Sequence, residues 1–247
     1  MTVGDCFAGI GGISLGLERA GFTVRWQIEI DPYARGVLEH HWPHVSRWGD
    51  IRLVSPDMLD DVECLAGGFP CQPVSVAGRR RGHTDARWLW PEMFRLVVAK
   101  RPRWVLAENV PGLRTLGADR ILGDLAGAGY TCWPLVVGAR HVGAPHRRDR
   151  VWIAARLEHA PGLGLEGRRN RHARQASGAW RWPARPGEAQ HPWEPPRTDQ
   201  PTLDGRVDGL PLRLALTALG NAVVPQVVEA IGLAILTADQ SADPSAL

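Results

Sequence analysis

The chain has a single lysine, Lys100, among its 29 basic residues; the rest are arginines. Planar guanidinium groups suit bidentate contacts to phosphates and base edges, but a GC-rich genome would give the same bias with no functional meaning. Cysteine is scarce too. Cys6, Cys64, Cys71 and Cys132 form no C-x-x-C pair, which argues against a zinc site and a disulfide framework and for free thiols in a reducing compartment. No apolar run approaches the roughly 20 residues needed to cross a bilayer. Met1-Thr2-Val3 runs straight into a glycine-rich segment, without the basic and hydrophobic regions of a secretion signal. A cytoplasmic protein is therefore expected, with no membrane and no metal among its partners. A G-x-x-x-x-G-K-[ST] segment is absent, so phosphate cleavage at a nucleotide site is not expected.

What remains is ordinary globular material. The 247 residues, 44% hydrophobic and 22% charged, suffice for one α/β domain with a buried core and a small appendage. The net charge of +3 is compatible with a nucleic-acid partner and too mild to demonstrate one.

The order of elements follows from periodicity. Thr2 to Phe7 reads as a strand, Gly9 to Gly12 as a turn, and the run through Ser14, Leu15, Leu17, Glu18 and Ala20 as a helix ended by Gly21. Thr23 to Ile30 reads as a second strand, completing a βαβ unit. Further helices are expected over Arg35 to His41, Pro91 to Lys100 and Ile121 to Ala128. Further strands are expected over Val62 to Ala66, Trp104 to Ala107, Thr131 to Val137 and Val151 to Ala155. Such alternation predicts a mostly parallel sheet covered on both faces, with ligands beyond the carboxyl ends of the strands. From Pro161 to Pro211 the chain is rich in Pro, Gly and Arg and lacks periodicity, so irregular structure is expected. Helical spacing returns at Leu212 to Leu219 and Val224 to Leu236.

Four constellations carry chemistry. The first, Asp5-Cys6-Phe7-Ala8-Gly9-Ile10-Gly11-Gly12, sits where strand meets helix, where a glycine backbone and free N–H groups accommodate a ligand. Glu29 follows about 20 residues after Gly9, the spacing of a carboxylate that accepts from ribose hydroxyls; a packing turn with a surface glutamate is the rival reading. In the second, Phe69-Pro70-Cys71-Gln72-Pro73, two prolines bracket a cysteine after a strand. They stiffen an exposed loop, which favours a nucleophilic thiol over a small core residue. The third, Glu108-Asn109-Val110, puts a carboxylate at the end of another strand, able to hold a proton near that thiol if its surroundings adjust its pKa. A solvated strand cap is the plainer alternative. The fourth, His146-Arg147-Arg148-Asp149-Arg150, is a charged loop with anion contact as the second possibility.

In this order the segments resemble the conserved blocks of the DNA cytosine-5 methyltransferase family. Asp5 through Gly21-Phe22 is similar to the family's first motif, Glu29-Ile30-Asp31 to its second and Gly49-Asp50-Ile51 to its third. Gly68-Phe69-Pro70-Cys71-Gln72 resembles the catalytic motif, and Glu108-Asn109-Val110 the catalytic block that follows it. Arg147-Arg148-Asp149-Arg150 resembles the arginine block, and Gly220-Asn221-Ala222-Val223-Val224-Pro225 the last motif, which packs against the first.

The resemblance implies a Rossmann-like class I S-adenosylmethionine-dependent methyltransferase fold with a small irregular target-recognition region. Residues 1–156 would form the catalytic and cofactor-binding domain and 157–210 the recognition region, with 211–247 returning to the first. It implies S-adenosylmethionine as donor, double-stranded DNA as partner and a monomer. The donor would be held by Phe7, Gly9, Ile10, Gly12, Glu29, Ile30, Asp50, Ile51, Gly68, Pro70, Asn221 and Val223. Cys71 would add to cytosine C6 and make C5 nucleophilic, with Glu108 at N3 and Arg150, with Arg148 beside it, at O2. The Phe69 carbonyl would accept from the exocyclic amine. Gln72, Ser75, Arg79, Arg81 and Arg87 would meet DNA from a loop that closes over a flipped-out base.

The interval after the arginine block is short for the family, and His146 stands where glutamine is usual; the format resembles phage or prophage enzymes without a dedicated restriction partner. Trp180, Arg181, Trp182, Arg185, Trp193 and Arg197 would read DNA or lie in a loose linker. A transfer-RNA methyltransferase of the same fold would carry Cys-Phe-Thr, which is absent. An inert DNA-binding relative would not need Cys71, Glu108 and Arg150. Amine methylation is disfavoured because Asp31-Pro32-Tyr33 lacks the second proline of D-P-P-Y.

Overall fold

The computed structural model describes residues 1–70, 88–158, 206–207, 210–211 and 222–241. Seven strands form one sheet: β1 (Thr2–Cys6), β2 (Thr23–Ile28), β3 (Ser46–Trp48), β4 (Cys64–Gly67), β5 (Trp104–Asn109), β6 (Tyr130–Val137) and β7 (Arg150–Leu157). Their order is β3-β2-β1-β4-β5-β7-β6. The first five run parallel, as the alternation predicted. The two pairs made by β7, with β5 and with β6, are antiparallel, a reversal that periodicity alone does not reveal.

Among the described residues, six α-helices accompany the sheet: α1 (Gly12–Ala20), α2 (Pro32–His41), α3 (Trp90–Lys100), α4 (Leu113–Leu116), α5 (Ala118–Gly127) and α6 (Pro225–Gln240). Side chains alternate along each buried strand, so each face of the sheet has its own core. Val105 and Ala107 of β5 pack with Trp90, Met93 and Leu96 of α3 and with Ile121 and Leu125 of α5. Trp104 and Leu106 pack with Ile13 and Leu17 of α1 and with Val227, Val228 and Ile231 of α6. A two-residue ribbon, β8 (Arg206–Val207) with β9 (Leu210–Pro211), is the regular structure described between residues 159 and 221. The helix expected over Leu212 to Leu219 lies outside the described residues. Among those residues, no helix is long and apolar enough to cross a membrane.

Element ends differ from the sequence reading for local reasons. Helix α2 starts three residues before Arg35 because Asp31 caps it, accepting from the Ala34 N–H at 2.9 Å, and Pro32 opens its first turn. Helix α1 stops as expected at Gly21, whose φ of 103° turns the chain left-handed. The edge strand β3 escaped notice because its three residues show no alternation; its pairing with Trp26, Gln27 and Ile28 creates it. The second strand ends at Ile28, so Glu29 and Ile30 fall in the loop beyond the sheet.

The chain travels outward from β1 to β3 and then returns to the other side of β1 at β4, so the crevice between the ends of β1 and β4 is the topological switch point. A polar knot lies beneath it. Asp5, fully buried at the end of β1, accepts from Ser14 through the backbone N–H at 3.1 Å and the hydroxyl at 2.8 Å. Ser14 Oγ accepts from Gln27 Nε2 at 3.0 Å, so one cluster ties β1, α1 and β2 together. Burial pushes the Asp5 carboxyl up to about 7, although the Ser14 hydrogen bonds pull the other way.

A folded-state pKa above the unfolded one means that the native protein binds this proton more tightly. The stability it contributes is full below the ordinary carboxylate range and is lost as pH rises through about 7. Asp5→Asn is therefore expected to gain in melting temperature relative to the parent between about pH 4 and about pH 8. A difference independent of pH, followed by circular dichroism, contradicts this assignment.

Candidate active site

Three left-handed positions in five residues bend the chain from β1 into α1: Phe7 at φ 58°, Gly9 at 54° and Gly11 at 89°. The turn is fastened by Ala8 N–H donating to the Ile28 carbonyl at 3.0 Å and Gly11 N–H to the Ala8 carbonyl at 2.8 Å. A Cβ at Gly9 would meet nothing within 4 Å, so that glycine faces open space. A Cβ at Gly12 would come within 2.9 Å of Val223 Cγ2 and 3.0 Å of the Val223 carbonyl. Glycine is thus favoured there by the close approach of the chain more than 200 residues later.

The turn forms one wall of a cleft of about 550 Å³ at the switch point, a size ordinary for small-molecule sites. Phe7, Gly9, Ile10, Gly12, Glu29, Ile30, Asp50, Ile51, Gly68, Phe69, Pro70, Glu108, Arg150 and Val223, all singled out in the sequence, line it together. Glu29 accepts from Gly9 N–H at 2.7 Å through one oxygen and from Asp31 N–H at 2.8 Å through the other. A carboxylate has about four acceptor sites, so two remain for hydroxyls. Asp50 caps a 3-10 turn over Ile51–Leu53, and its bonds to Arg52 hold its carboxyl below the usual range. Arg95 clamps that turn from below, donating to the carbonyls of Ile51 and Val54 at 3.0 and 2.9 Å.

The opposite wall carries the acid. Because β7 runs antiparallel to β5, its first residues lie beside the last residues of β5: Val151 faces Asn109, and Trp152 faces Glu108. Arg150 thereby reaches Glu108, with Nε 3.0 Å from Oε1. Glu108 is 8% exposed. Burial pushes its carboxyl up to about 7 even though Arg150, and then Arg148, pull it down. Desolvation wins because a carboxylate loses several kcal/mol of hydration in such a site, and one partly exposed arginine returns only part of that. Gly68 leaves room for the acid, since a Cβ there would lie 2.9 Å from Glu108 Oε2.

The Phe69 ring is core, packed edge-on against Trp88 and tilted against Trp90; only its carbonyl is directed to polar work. That carbonyl accepts from Asn109 Nδ2 at 2.9 Å, which leaves one lone pair for another donor. The sequence reading gave Asn109 no task of its own; its place beside Glu108 was the available signal. Nor did it give a part in the cleft to Tyr33, Gly49, Arg52 and Ala222, which line it beside the residues that were singled out. Arg148, at φ 37°, directs its guanidinium to the Ala222 carbonyl. Cys6 and Cys64 are buried with thiol pKa values raised by burial, as inert core residues are. Cys71, Gln72, Ser75, Arg79, Arg81, Arg87 and Asn221 lie outside the described residues. Among those described, no group of three or more His, Cys, Asp or Glu side chains could hold a metal.

A model of the family described as C-5 cytosine-specific DNA methylase matches residues 1–175. Type II methyltransferase M.NgoBI of Neisseria gonorrhoeae is 36% identical over 162 residues, covering 64% of this chain and 51% of that protein. Type II methyltransferase M2.BsuMI of Bacillus subtilis (strain 168) is 38% identical over 170 residues, covering 65% and 43%. Among solved structures, a candidate DNA modification methyltransferase encoded within an E. coli prophage gives a TM-score of 0.55 at 30% identity, covering 64% of this chain and 47% of that one. The S. pombe Dnmt2 methyltransferase gives 0.53 at 22% identity, covering 67% and 53%, which is a likeness of fold alone. The chain spans about half the length of the curated relatives it matches. The fold is that of the class I S-adenosylmethionine-dependent methyltransferases.

If the Gly12 approach is as tight as the geometry requires, Gly12→Ala forces the Val223 backbone outward. Urea unfolding should then show a loss of about 1–3 kcal/mol, the usual cost of overpacking. Unchanged stability contradicts the close packing.

Proposed function

The chain belongs to the C-5 cytosine-specific DNA methylase family, and from that premise we propose that it transfers a methyl group from S-adenosylmethionine to carbon 5 of cytosine in double-stranded DNA. One observation carries the reading: a buried carboxyl whose pKa lies near neutrality, Glu108, opens onto the same cleft as the glycine turn. The cleft fits the donor. Gly9 faces open space, Glu29 keeps acceptor sites for a diol, and Ile30 and Ile51 offer apolar surface to a flat ring. Phe7, Gly9, Ile10, Gly12, Glu29, Ile30, Asp50, Ile51, Gly68, Pro70 and Val223 would hold it, joined by Asn221. Bound there, S-adenosylmethionine supplies an electrophilic methyl group.

The chain's own groups do the rest. The Cys71 thiolate forms a bond from Sγ to cytosine C6, and the ring electrons displaced by that addition make C5 a nucleophile. Glu108 hydrogen-bonds the N3 edge and holds a proton there. Arg150, carrying positive charge beside Glu108, faces O2 and offsets the negative charge that develops on the ring. The Phe69 carbonyl uses its remaining lone pair on the exocyclic amine. Once C5 is methylated, a base takes the C5 proton, the electron pair reforms the ring double bond and Cys71 leaves. The target base must leave the duplex for these contacts to form, at a cost of a few kcal/mol. Gln72, Ser75, Arg79, Arg81 and Arg87, in the segment that follows Cys71, meet the DNA. Residues 157–210 serve as the recognition region, and the protein acts as a monomer.

Duplex DNA with 5-fluorocytosine at target sites tests the mechanism, because fluorine at C5 does not leave as a proton does. With S-adenosylmethionine present, the protein should become covalently attached to this DNA, and Cys71→Ser should abolish attachment. No adduct with the parent protein, together with parental activity in Cys71→Ser, overturns the mechanism. Bisulfite sequencing of DNA from expressing cells reports the methylated sites directly, and an unmethylated genome contradicts the activity.

A further inference from the structure

Arg148 sits two residues before Arg150, and its guanidinium donates through Nη2 to the Ala222 carbonyl. Ala222 and Val223 line the cleft where the chain returns from its C-terminal side. Val223 lies so close to Gly12 that a Cβ there would displace it, at 2.9 Å from its Cγ2 and 3.0 Å from its carbonyl. The Arg148 backbone has a φ of 37°, in the left-handed region that a residue with a side chain occupies only when its surroundings hold it there. Its guanidinium is also partly desolvated and close to a second cation, Arg150; both conditions make its positive charge costly, the Glu108 carboxylate offsets part of that cost, and hydrogen-bond acceptors can offset more. The Ala222 carbonyl is such an acceptor, and a charge-assisted bond of this kind is among the stronger ones in proteins.

We propose that Arg148 is a positioning residue, a strut that fixes the Ala222–Val223 wall of the donor pocket to the loop carrying Arg150. The inference rests on the methyltransferase reading and deepens it, since it assigns one arginine of the pair to the donor wall. Arg150 engages Glu108 from β7; Arg148 spans to the segment that precedes α6. A single short loop thus holds both the acid and the donor wall, so the separation between the two sides of the cleft is fixed by bonds from one place. Arg148 acts on the donor through Ala222 and Val223, without itself being a reacting group.

Calorimetric titration of S-adenosylmethionine into the DNA-free protein tests this, alongside steady-state kinetics and a melting curve. Arg148→Met should bind the donor at least about tenfold more weakly, as expected for loss of a hydrogen bond to a charged group. Its KM for the donor should rise by a similar factor, with kcat at saturating donor reduced less. Arg148→Lys, which keeps the charge and one donor, should fall between Arg148→Met and the parent. Parental donor affinity in a folded Arg148→Met overturns the proposal, as does a kcat loss with unchanged KM, which would mark direct participation in the reaction. Should Arg148→Met not fold, Arg148→Lys decides alone: a raised Kd with kcat retained supports the strut, and a parental Kd overturns it. A parent protein that binds no S-adenosylmethionine contradicts the methyltransferase reading itself, an outcome distinct from these.

Discussion

The contact between Glu108 and Arg150 joins the parallel and antiparallel parts of the sheet, and the candidate site is organised around it. Were β7 parallel to β5, Arg150 would lie at the far end of the sheet and Glu108 would have no cation across from it. The reversal supplies the partner and sets Trp152 of β7 in register with Glu108, which is itself buried. Burial and attraction then oppose each other, and burial wins, leaving a carboxyl with a pKa of about 7. A proton donor that titrates near neutrality suits general acid chemistry better than an exposed glutamate, which would be ionised almost entirely.

The second constraint is the return of the chain at its C-terminal side. Helix α6 packs on α1 where Gly16 allows close approach to Val228 and to the Pro225 carbonyl, and where Gly232 meets Ala20. At its other end Asp239 accepts from Arg103 Nη1 at 2.6 Å and from Trp104 Nε1 at 3.0 Å, fixing the helix to the start of β5. With both ends held, the residues just before α6 have one place to go, which is against the glycine turn. This side of the cleft is thus assembled from segments far apart in sequence: the Gly9–Gly12 turn, the segments after β2 and β3, and Ala222 with Val223.

Much of this was legible in the sequence because its signals are local. Gly9 and Gly12 after a β-rich run, Glu29 at ribose spacing, and a carboxylate closing an apolar strand each announce a position beyond a sheet edge, and each lines the cleft. What periodicity missed depends on partners distant in the chain. Strand β3 exists through its pairing with β2, the reversal of β7 through its register with β5 and β6, and the ion pair of Glu108 through that reversal. Asp31 and Pro32 did carry a helix-start signal; read as a substrate motif, they were not read as a cap. The division of labour between Arg148 and Arg150 needed coordinates, since two arginines separated by one residue look equivalent in a sequence.

The most direct test of the central claim is the titration of the Glu108 carboxyl carbon by nuclear magnetic resonance in glutamate-labelled protein, with Glu108→Gln identifying the resonance. The account predicts a midpoint of about 7, well above the ordinary 4.5. A midpoint at the ordinary value would mean that the acid is solvated, and the proposed role of Glu108 at the cytosine N3 edge would lose its physical basis.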